Sequence, residues 1–208
     1  MAEIDYPLKL SVDYPDRKLN RLTTFFRIFV AIPIFIILAL LIGSSFSQGD
    51  NGWSIFLGTL GGIVFFPTVF MFLFRRKYPK WWFDWNLAVT KFSYRVSAYL
   101  SLMSDIYPST DEEQYIKIKM NYPDAQTLNR WLPLVKWIMA IPHFIVLAFL
   151  GVAWFVVVII AWFAILFTGK YPRSLFDFVE GFYRWNLRVS GYAFILVTDK
   201  YPPFSLSA

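Results

Sequence analysis

The sequence contains no cysteine and only one histidine, and few of its side chains are charged. Without cysteine the chain cannot form disulfides, thiolate metal sites, iron–sulfur clusters or cysteine nucleophiles. Only 16% of the 208 residues are charged, whereas 57% are hydrophobic and 21% are aromatic. Soluble domains have about 25% charged residues and fewer apolar ones. The composition therefore excludes a disordered chain and predicts an integral membrane protein.

Charge is missing from two long blocks of the sequence. Between Ile28 and Phe74 the only charged residue is Asp50, and between Trp137 and Gly169 there is none. A charge at the centre of a spanning helix costs about 2.5–3.5 kcal/mol, so uninterrupted apolar stretches of this length favour the bilayer. Both blocks are therefore predicted to be embedded in a membrane.

Each block is long enough to form a helical hairpin, because about 20 apolar residues span a bilayer. The first block predicts transmembrane helices over 26–45 and 53–74, joined by a polar turn. The second predicts transmembrane helices over 132–150 and 152–168, with a tight turn at Gly151. The arms of the second hairpin are short, so a shallow re-entrant hairpin is the alternative to full spanning.

Basic residues flank both predicted hairpins, whereas the predicted outer turn has none. The positive-inside rule therefore places both termini and the central segment in the cytoplasm. The net charge of +6 is attributed to basic loops beside anionic lipid headgroups, and no nucleic-acid partner is expected. The acidic N-terminal sequence is not expected to be a signal peptide.

The two halves of the chain share motifs in the same order, which predicts an internal repeat over 1–108 and 109–208. Each unit is predicted to consist of a strand, a membrane hairpin, an interfacial helix and a second strand, and the two units are parallel. The clearest matches are Ala31-Ile32-Pro33 with Ala140-Ile141-Pro142, Arg95-Val96-Ser97-Ala98-Tyr99 with Arg188-Val189-Ser190-Gly191-Tyr192, and Asp105-Ile106-Tyr107-Pro108 with Asp199-Lys200-Tyr201-Pro202.

The segments outside the apolar blocks indicate a small β part. Apolar and polar residues alternate over 8–12 and 115–121, which is typical of strands with one buried face. The segments 95–103 and 188–198 are rich in valine, tyrosine, isoleucine and leucine and end at turns. The predicted fold class is thus a membrane α-helical protein with four transmembrane helices and a cytoplasmic four-stranded antiparallel sheet.

Amphipathic helices are predicted over 80–93 and 174–187, in the headgroup layer of the membrane. Indole rings favour this layer, and basic side chains reach lipid phosphates from it. Simple anchoring and a specific lipid or partner site both remain open as their role. The candidate lipid or partner contacts are Trp81, Trp82, Trp85, Lys91, Arg95, Arg184, Trp185 and Arg188.

The sequence resembles a bacterial family known as domain of unknown function 4389 over essentially the whole chain. The resembling elements include Ser11-Val12-Asp13-Tyr14-Pro15, Arg21-Leu22-Thr23-Thr24-Phe25-Phe26-Arg27, Ile141-Pro142-His143-Phe144, Lys170-Tyr171-Pro172-Arg173-Ser174-Leu175-Phe176-Asp177-Phe178 and Arg184-Trp185-Asn186-Leu187-Arg188-Val189. The resemblance implies a bacterial multi-pass membrane protein, and hence the inner membrane. It implies no reaction, cofactor or catalytic residue.

Few residues are candidates for chemistry. His143 lies in a predicted membrane arm, where Ile34 takes its place in the first repeat. One imidazole without carboxylates nearby predicts no metal site, which leaves a neutral structural histidine or a ligand contact. Asp84 and Asp177 match across the repeat, and ion pairing or helix capping explains them better than catalysis. No catalytic residue, cofactor or metal is expected.

The expected function is a non-enzymatic integral inner-membrane scaffold or an accessory subunit of a membrane protein complex. Its expected partners are membrane lipids together with other membrane subunits or further copies of the chain. The alternative is a lipid-binding protein or a small-molecule channel, with sites between repeats or protomers.

Overall fold

The computed structural model describes residues 6–15, 18–42, 68–75, 77–110, 112–124, 128–129 and 131–207. The predicted outer turn at Asp50 and residues 53–67 of the second predicted helix lie outside these residues. In chain order the elements are β1 (Leu8–Val12), α1 (Arg21–Val30), α2 (Ile32–Ile42), a short π-helix (Met71–Arg75), α3 (Lys80–Leu100), β2 (Ile116–Met120), α4 (Pro133–Met139), α5 (Ile141–Thr168) and α6 (Arg173–Ala193).

The sheet of the described chain is a two-stranded antiparallel ribbon. β1 pairs with β2 so that Leu8 lies opposite Met120 and Val12 lies opposite Ile116. Both strands alternate buried and exposed side chains along their length. One face of the ribbon therefore packs on the protein core, and the other faces outward.

The predicted strands over 95–103 and 188–198 are wrong, and so is the four-stranded sheet. These segments form the last turns of α3 and α6 and the loops that follow them. Their apolar residues also fit helical spacing, since the buried positions are Phe92, Arg95, Val96 and Tyr99 in α3, and Trp185, Arg188, Val189 and Tyr192 in α6. Packing on that face favours the helix over the strand propensity of the residues.

The second predicted hairpin, over 132–150 and 152–168, is also wrong. α5 is one helix of 28 residues that continues through Gly151 and ends at Gly169 in the left-handed conformation. The chain breaks earlier, between α4 and α5 at Ala140, because Pro142 favours the first turn of a new helix.

Four transmembrane helices are therefore not observed. Among the described residues one helix, α5, is long and apolar enough to cross a membrane. The count rises to two if α1 and residues 32–38 of α2, which meet at a bend of 44°, form one broken span.

The elements form three layers. Of the outer helices, α2 packs on the middle helix α3, whereas α4 and α5 pack on the middle helix α6, and α1 packs on α5 and α2. α6 in turn packs on β1, and α3 packs on β2. Most of α6 is therefore buried, with α5 on one side and the ribbon on the other.

Candidate functional site

The outer layer presents a large apolar surface. In the most apolar window of α5 the mean hydropathy is 3.0, and only 11% of the residues are buried. A core helix of a soluble protein would be mostly buried. The exposed large side chains of α5 include Ile145, Phe149, Val152, Phe155, Val156, Ile159, Ile160, Phe163 and Phe167. This exposure is consistent with membrane insertion of α5.

Helix α1 extends this apolar surface beside the C-terminal half of α5. The Phe25 ring stacks on Trp162, with 6.1 Å between the ring centroids. The Trp162 indole Nε1 donates a hydrogen bond to the backbone oxygen of Thr24 over 3.2 Å. The exposed large apolar side chains of α1 are Leu22, Phe25, Phe26, Ile28, Phe29 and Val30.

Cations surround the C-terminal end of α5. The Arg21 guanidinium donates to the backbone oxygen of Phe167 over 3.0 Å, and Lys170 is exposed. Arg173 lies 4.7 Å above the Tyr14 ring and pairs with Asp177 over 2.9 Å. Positive charge at a helix C-terminus complements the helix dipole, and here it also borders the apolar surface.

A buried ion pair closes the loop that follows α3. The Arg27 guanidinium pairs with Asp105 and donates to the backbone oxygens of Tyr99 and Ser104 over 2.6 Å and 3.0 Å. It also lies 4.5 Å from the centroid of the Tyr99 ring. The Asp105 carboxylate accepts a second bond from the backbone N–H of Asn20 over 2.6 Å. Arg27 thereby fixes α1 to the end of α3.

A second buried ion pair closes the loop that follows α6 in the same way. The Lys136 amine lies 2.7 Å from the Asp199 carboxylate and donates to the backbone oxygen of Thr198 over 2.6 Å. It lies 5.2 Å from the Tyr192 ring, and Asp199 accepts from the backbone N–H of Asn129 over 2.7 Å. Burial lowers the pKa of the Lys136 amine, and the Asp199 carboxylate opposes that shift.

The two ion pairs use residues at corresponding places in the two halves, with Lys136 in the place of Arg27. The sequence analysis matched the two aspartates but did not identify either cation as important. The sequence does show that Lys136 takes the repeat position of Arg27. The two residues are separated by the same number of residues as the matched Asn20 and Asn129.

His143 lies in a buried aromatic cluster at the start of α5. Its Nδ1 accepts a hydrogen bond from the Trp185 indole over 3.1 Å. Its imidazole stacks on Phe204 with 3.9 Å between centroids, and Tyr201 lies 4.8 Å away. Because Nδ1 accepts, the imidazole is neutral with its proton on Nε2. The cluster holds α5 against α6 and the C-terminal segment.

The tryptophans predicted to contact lipid lie at the start of α3. Trp81 is 67% exposed. Trp82 and Trp85 stack with 5.2 Å between centroids, and the Trp82 indole donates to the Thr68 hydroxyl over 2.8 Å. Trp81 is thus available for contact, whereas its two neighbours are partly buried.

The predicted basic contacts are placed differently. Arg95 and Arg188 are buried, and both donate to the backbone of later segments. Arg95 binds the Ser109 oxygen over 2.8 Å, and Arg188 binds the Ser207 oxygen over 2.8 Å. Burial lowers the pKa of Arg188, and so does the neighbouring Arg184 cation. Tyr6 opposes this shift.

The remaining predicted contacts lie deeper than expected for headgroup ligands. Arg184 pairs with Glu180 over 2.7 Å and donates to the Leu10 oxygen over 3.1 Å. Trp185 is buried against His143, and Lys91 is half-buried.

No metal site is formed by the described part of the chain. No group of three or more histidine, aspartate or glutamate side chains is placed to hold a metal ion there. Asp84 is exposed on α3, and Asp177 on α6 is paired with Arg173.

Part of the chain matches a known protein family. Residues 131–205 match the model of a family described as a domain of unknown function (DUF4389). This stretch contains α4, α5 and α6, and with them the Lys136 ion pair and the His143 cluster. No curated protein and no solved structure matches the sequence.

Proposed function

We propose that this chain, whose residues 131–205 match the DUF4389 model, is a non-enzymatic inner-membrane protein that serves as a scaffold or accessory subunit of a membrane protein complex. The observation that supports this most directly is the exposed apolar surface of α5. An apolar patch of this size is not stable against water, and membrane lipid is the environment that accepts it.

The opposite side of the molecule supports the scaffold part of the proposal. The outward face of the ribbon carries Lys9, Ser11, Lys117 and Lys119, all exposed. Lys117 is paired with Asp13 over 2.9 Å, and the face as a whole stays rich in lysine. A basic face of this kind would attract an acidic surface of a partner subunit. One face of the protein would then contact lipid while the other contacts protein.

The ribbon is proposed to lie on the cytoplasmic side, in keeping with the positive-inside rule. A single cysteine at Ser11, in a protein that has no native cysteine, tests this side. In intact cells an impermeant maleimide should leave it unlabelled, and permeabilised cells should label it. Labelling in intact cells would place the ribbon outside.

The scaffold proposal is tested by native mass spectrometry after extraction from host membranes in mild detergent. A heteromeric assembly is expected, and Lys119→Glu should reduce its yield at least several-fold. Lys170→Glu makes the same charge change at the exposed end of α5 and should leave the yield unchanged. A monomer in every sample, or equal losses in both variants, would contradict the proposal.

The exposed Trp81 favours lipid binding as a second candidate function. It lies beside the stacked Trp82 and Trp85, with Lys80 exposed at the start of the same helix. An indole next to a cation suits the headgroup layer. Under this function Trp81→Ala should weaken binding to phosphatidylglycerol vesicles, while Tyr107→Ala, which removes an exposed ring in the loop after α3, should not.

A further inference from the structure

We infer that α5 lies in the plane of the membrane, with its exposed face in one phospholipid leaflet, instead of crossing the bilayer. The inference rests on the proposed membrane location and specifies how the chain is seated there. Length and composition would allow α5 to cross, so the decision comes from what packs around it.

The two sides of α5 differ along its whole length. Buried positions recur at His143, Leu147, Ala161 and Ile165, which share one side of the helix. The positions on the opposite side are apolar and exposed from one end to the other: Ile145, Phe149, Val152, Val156, Phe163 and Phe167. α5 therefore has a protein side and an open side, each about 42 Å long at 1.5 Å per residue.

The protein side of α5 is covered by α6, which runs antiparallel to it. Phe144 near the start of α5 stacks on Phe194, just beyond the end of α6, with 5.7 Å between centroids. Further along, Trp154 stacks on Phe182 with 6.0 Å between centroids. α6 is not a membrane helix by composition, since it contains the Glu180–Arg184 ion pair and the buried Arg188.

The ribbon lies behind α6, level with this part of α5. The backbone N–H of Val12 donates to the Glu180 carboxylate over 3.1 Å, and Arg184 donates to the Leu10 oxygen over 3.1 Å. At the other end of β1, Leu8 lies so close to Gly191 that an added Cβ would approach its Cδ2 to 2.5 Å. Polarity therefore increases across α5, from the open side to the lysine face.

A crossing orientation would place these layers at the same depth. If α5 crossed the bilayer in this packed structure, Lys117 and Lys119 would lie in the hydrocarbon beside it. Each charge near the centre costs about 2.5–3.5 kcal/mol on insertion scales, and α6 would add its own charges. With α5 in the membrane plane, the open side enters lipid and the lysines remain in water.

The borders of the open side suit a headgroup layer. Trp131 and Trp137 are exposed beside its N-terminal end, and Lys170 and Arg173 are exposed beside its C-terminal end. In this protein α6 and the ribbon supply the polar side that α5 itself lacks. An apolar face backed by a polar layer lies about 5–10 Å into the boundary between headgroups and acyl chains. Cations at the rim match anionic phospholipid, whereas a second copy would present the same cations to each other.

The inference is tested by measuring the depth of single nitroxide labels on the open side. The full chain is labelled through single cysteines and reconstituted in vesicles of phosphatidylcholine and phosphatidylglycerol at a ratio of about 3:1. Depth is obtained from the accessibility of each label to oxygen and to a water-soluble nickel chelate. The labelled positions are 145, 149, 152, 156, 163 and 167, all exposed in the structure.

All six labels are expected at nearly equal depth, about 5–10 Å below the phosphates. Depths that peak at about 15 Å around positions 152 and 156 and fall towards both ends would show a crossing helix. That result overturns the inference and leaves the membrane proposal standing. Access of the nickel chelate to all six labels would show that this side lies in water, and would overturn both the inference and the membrane proposal. Low access to both reagents with spin–spin broadening would show a second copy on this face and overturn the lipid assignment.

Discussion

At the scale of single residues, the buried ion pairs have the clearest energetic consequence. Arg27 and Asp105 have side-chain exposures of 3% and 10%, so removing one partner leaves a charge in an apolar environment. Such a change costs about 3–5 kcal/mol, whereas an exposed ion pair contributes about 1 kcal/mol or less. Arg27 and Lys136, the cations of the two buried ion pairs, are therefore expected to matter more for stability than the exposed lysines.

Asp105→Ala is expected to destabilise the protein by about 3 kcal/mol, measured by chemical unfolding in mild detergent. Asp13→Ala is the matched control, because it removes the exposed Lys117–Asp13 pair with side-chain exposures of 62% and 57%. The control should change the free energy of unfolding by less than about 1 kcal/mol. Equal effects of the two substitutions would show that the Arg27 pair is not buried in the folded protein.

His143→Phe should lower stability even though it preserves ring stacking on Phe204. The substitution removes the acceptor of the Trp185 N–H, and an unsatisfied buried donor costs about 1–3 kcal/mol. His143→Gln retains an acceptor and should recover part of the loss. Thermal unfolding, followed by circular dichroism, measures both variants. If His143→Phe is as stable as the native protein, the hydrogen bond from Trp185 does not contribute to stability.

At the scale of elements, the glycines distinguish the single helix α5 from a hairpin. A β-carbon at Gly151 would have no heavy atom within 4 Å beyond its own helix backbone and chain neighbours, whereas one at Gly181 in α6 would meet Leu206 at 2.9 Å. Gly and Ala differ by about 0.8–1.0 kcal/mol inside a helix. Replacing glycine by alanine therefore meets no neighbour at position 151 but clashes with Leu206 at position 181.

Gly151→Ala is expected to raise the free energy of unfolding by up to about 1 kcal/mol, because alanine favours the helix and meets no neighbour. Gly181→Ala is expected to lower it, since the contact with Leu206 must shift. Chemical unfolding under the same detergent conditions compares the two. A destabilising Gly151→Ala would indicate that the chain turns at this glycine.

At the scale of the whole molecule, the two halves are joined through exchanged packing. β1 comes from the first half but packs on α6 of the second, and β2 comes from the second half but packs on α3 of the first. The Tyr183 hydroxyl in α6 donates to the Ser97 oxygen in α3 over 2.9 Å. Each half therefore buries part of its core against the other, and neither is expected to be stable alone.

Cutting the connection between the halves should leave them associated. A protease site inserted between Glu112 and Glu113, which are both exposed, allows cleavage after folding. The two fragments should then co-elute in size-exclusion chromatography in mild detergent, because the ribbon and the middle helices hold them together. Separation of the fragments without denaturant would contradict the exchanged packing.

The sequence by itself determined the apolar blocks and the alternation of 8–12 and 116–120, because both depend on patterns local to the chain. Local pattern also indicated the family, which the match over 131–205 confirms for that stretch. These features need no knowledge of what each segment packs against.

Only the tertiary structure decided how those segments are used. Apolar residues near Tyr99 and Tyr192 fit a strand or a helix, and burial on one face selected the helix. Gly151 could start a turn in isolation, but α6 covers α5 on both sides of it and favours a continuous helix. Arg95 and Arg188 have the charge expected of headgroup ligands. Their guanidinium groups instead donate to the backbone oxygens of Ser109 and Ser207. In each case the deciding contact lies far along the chain, where periodicity and composition hold no information.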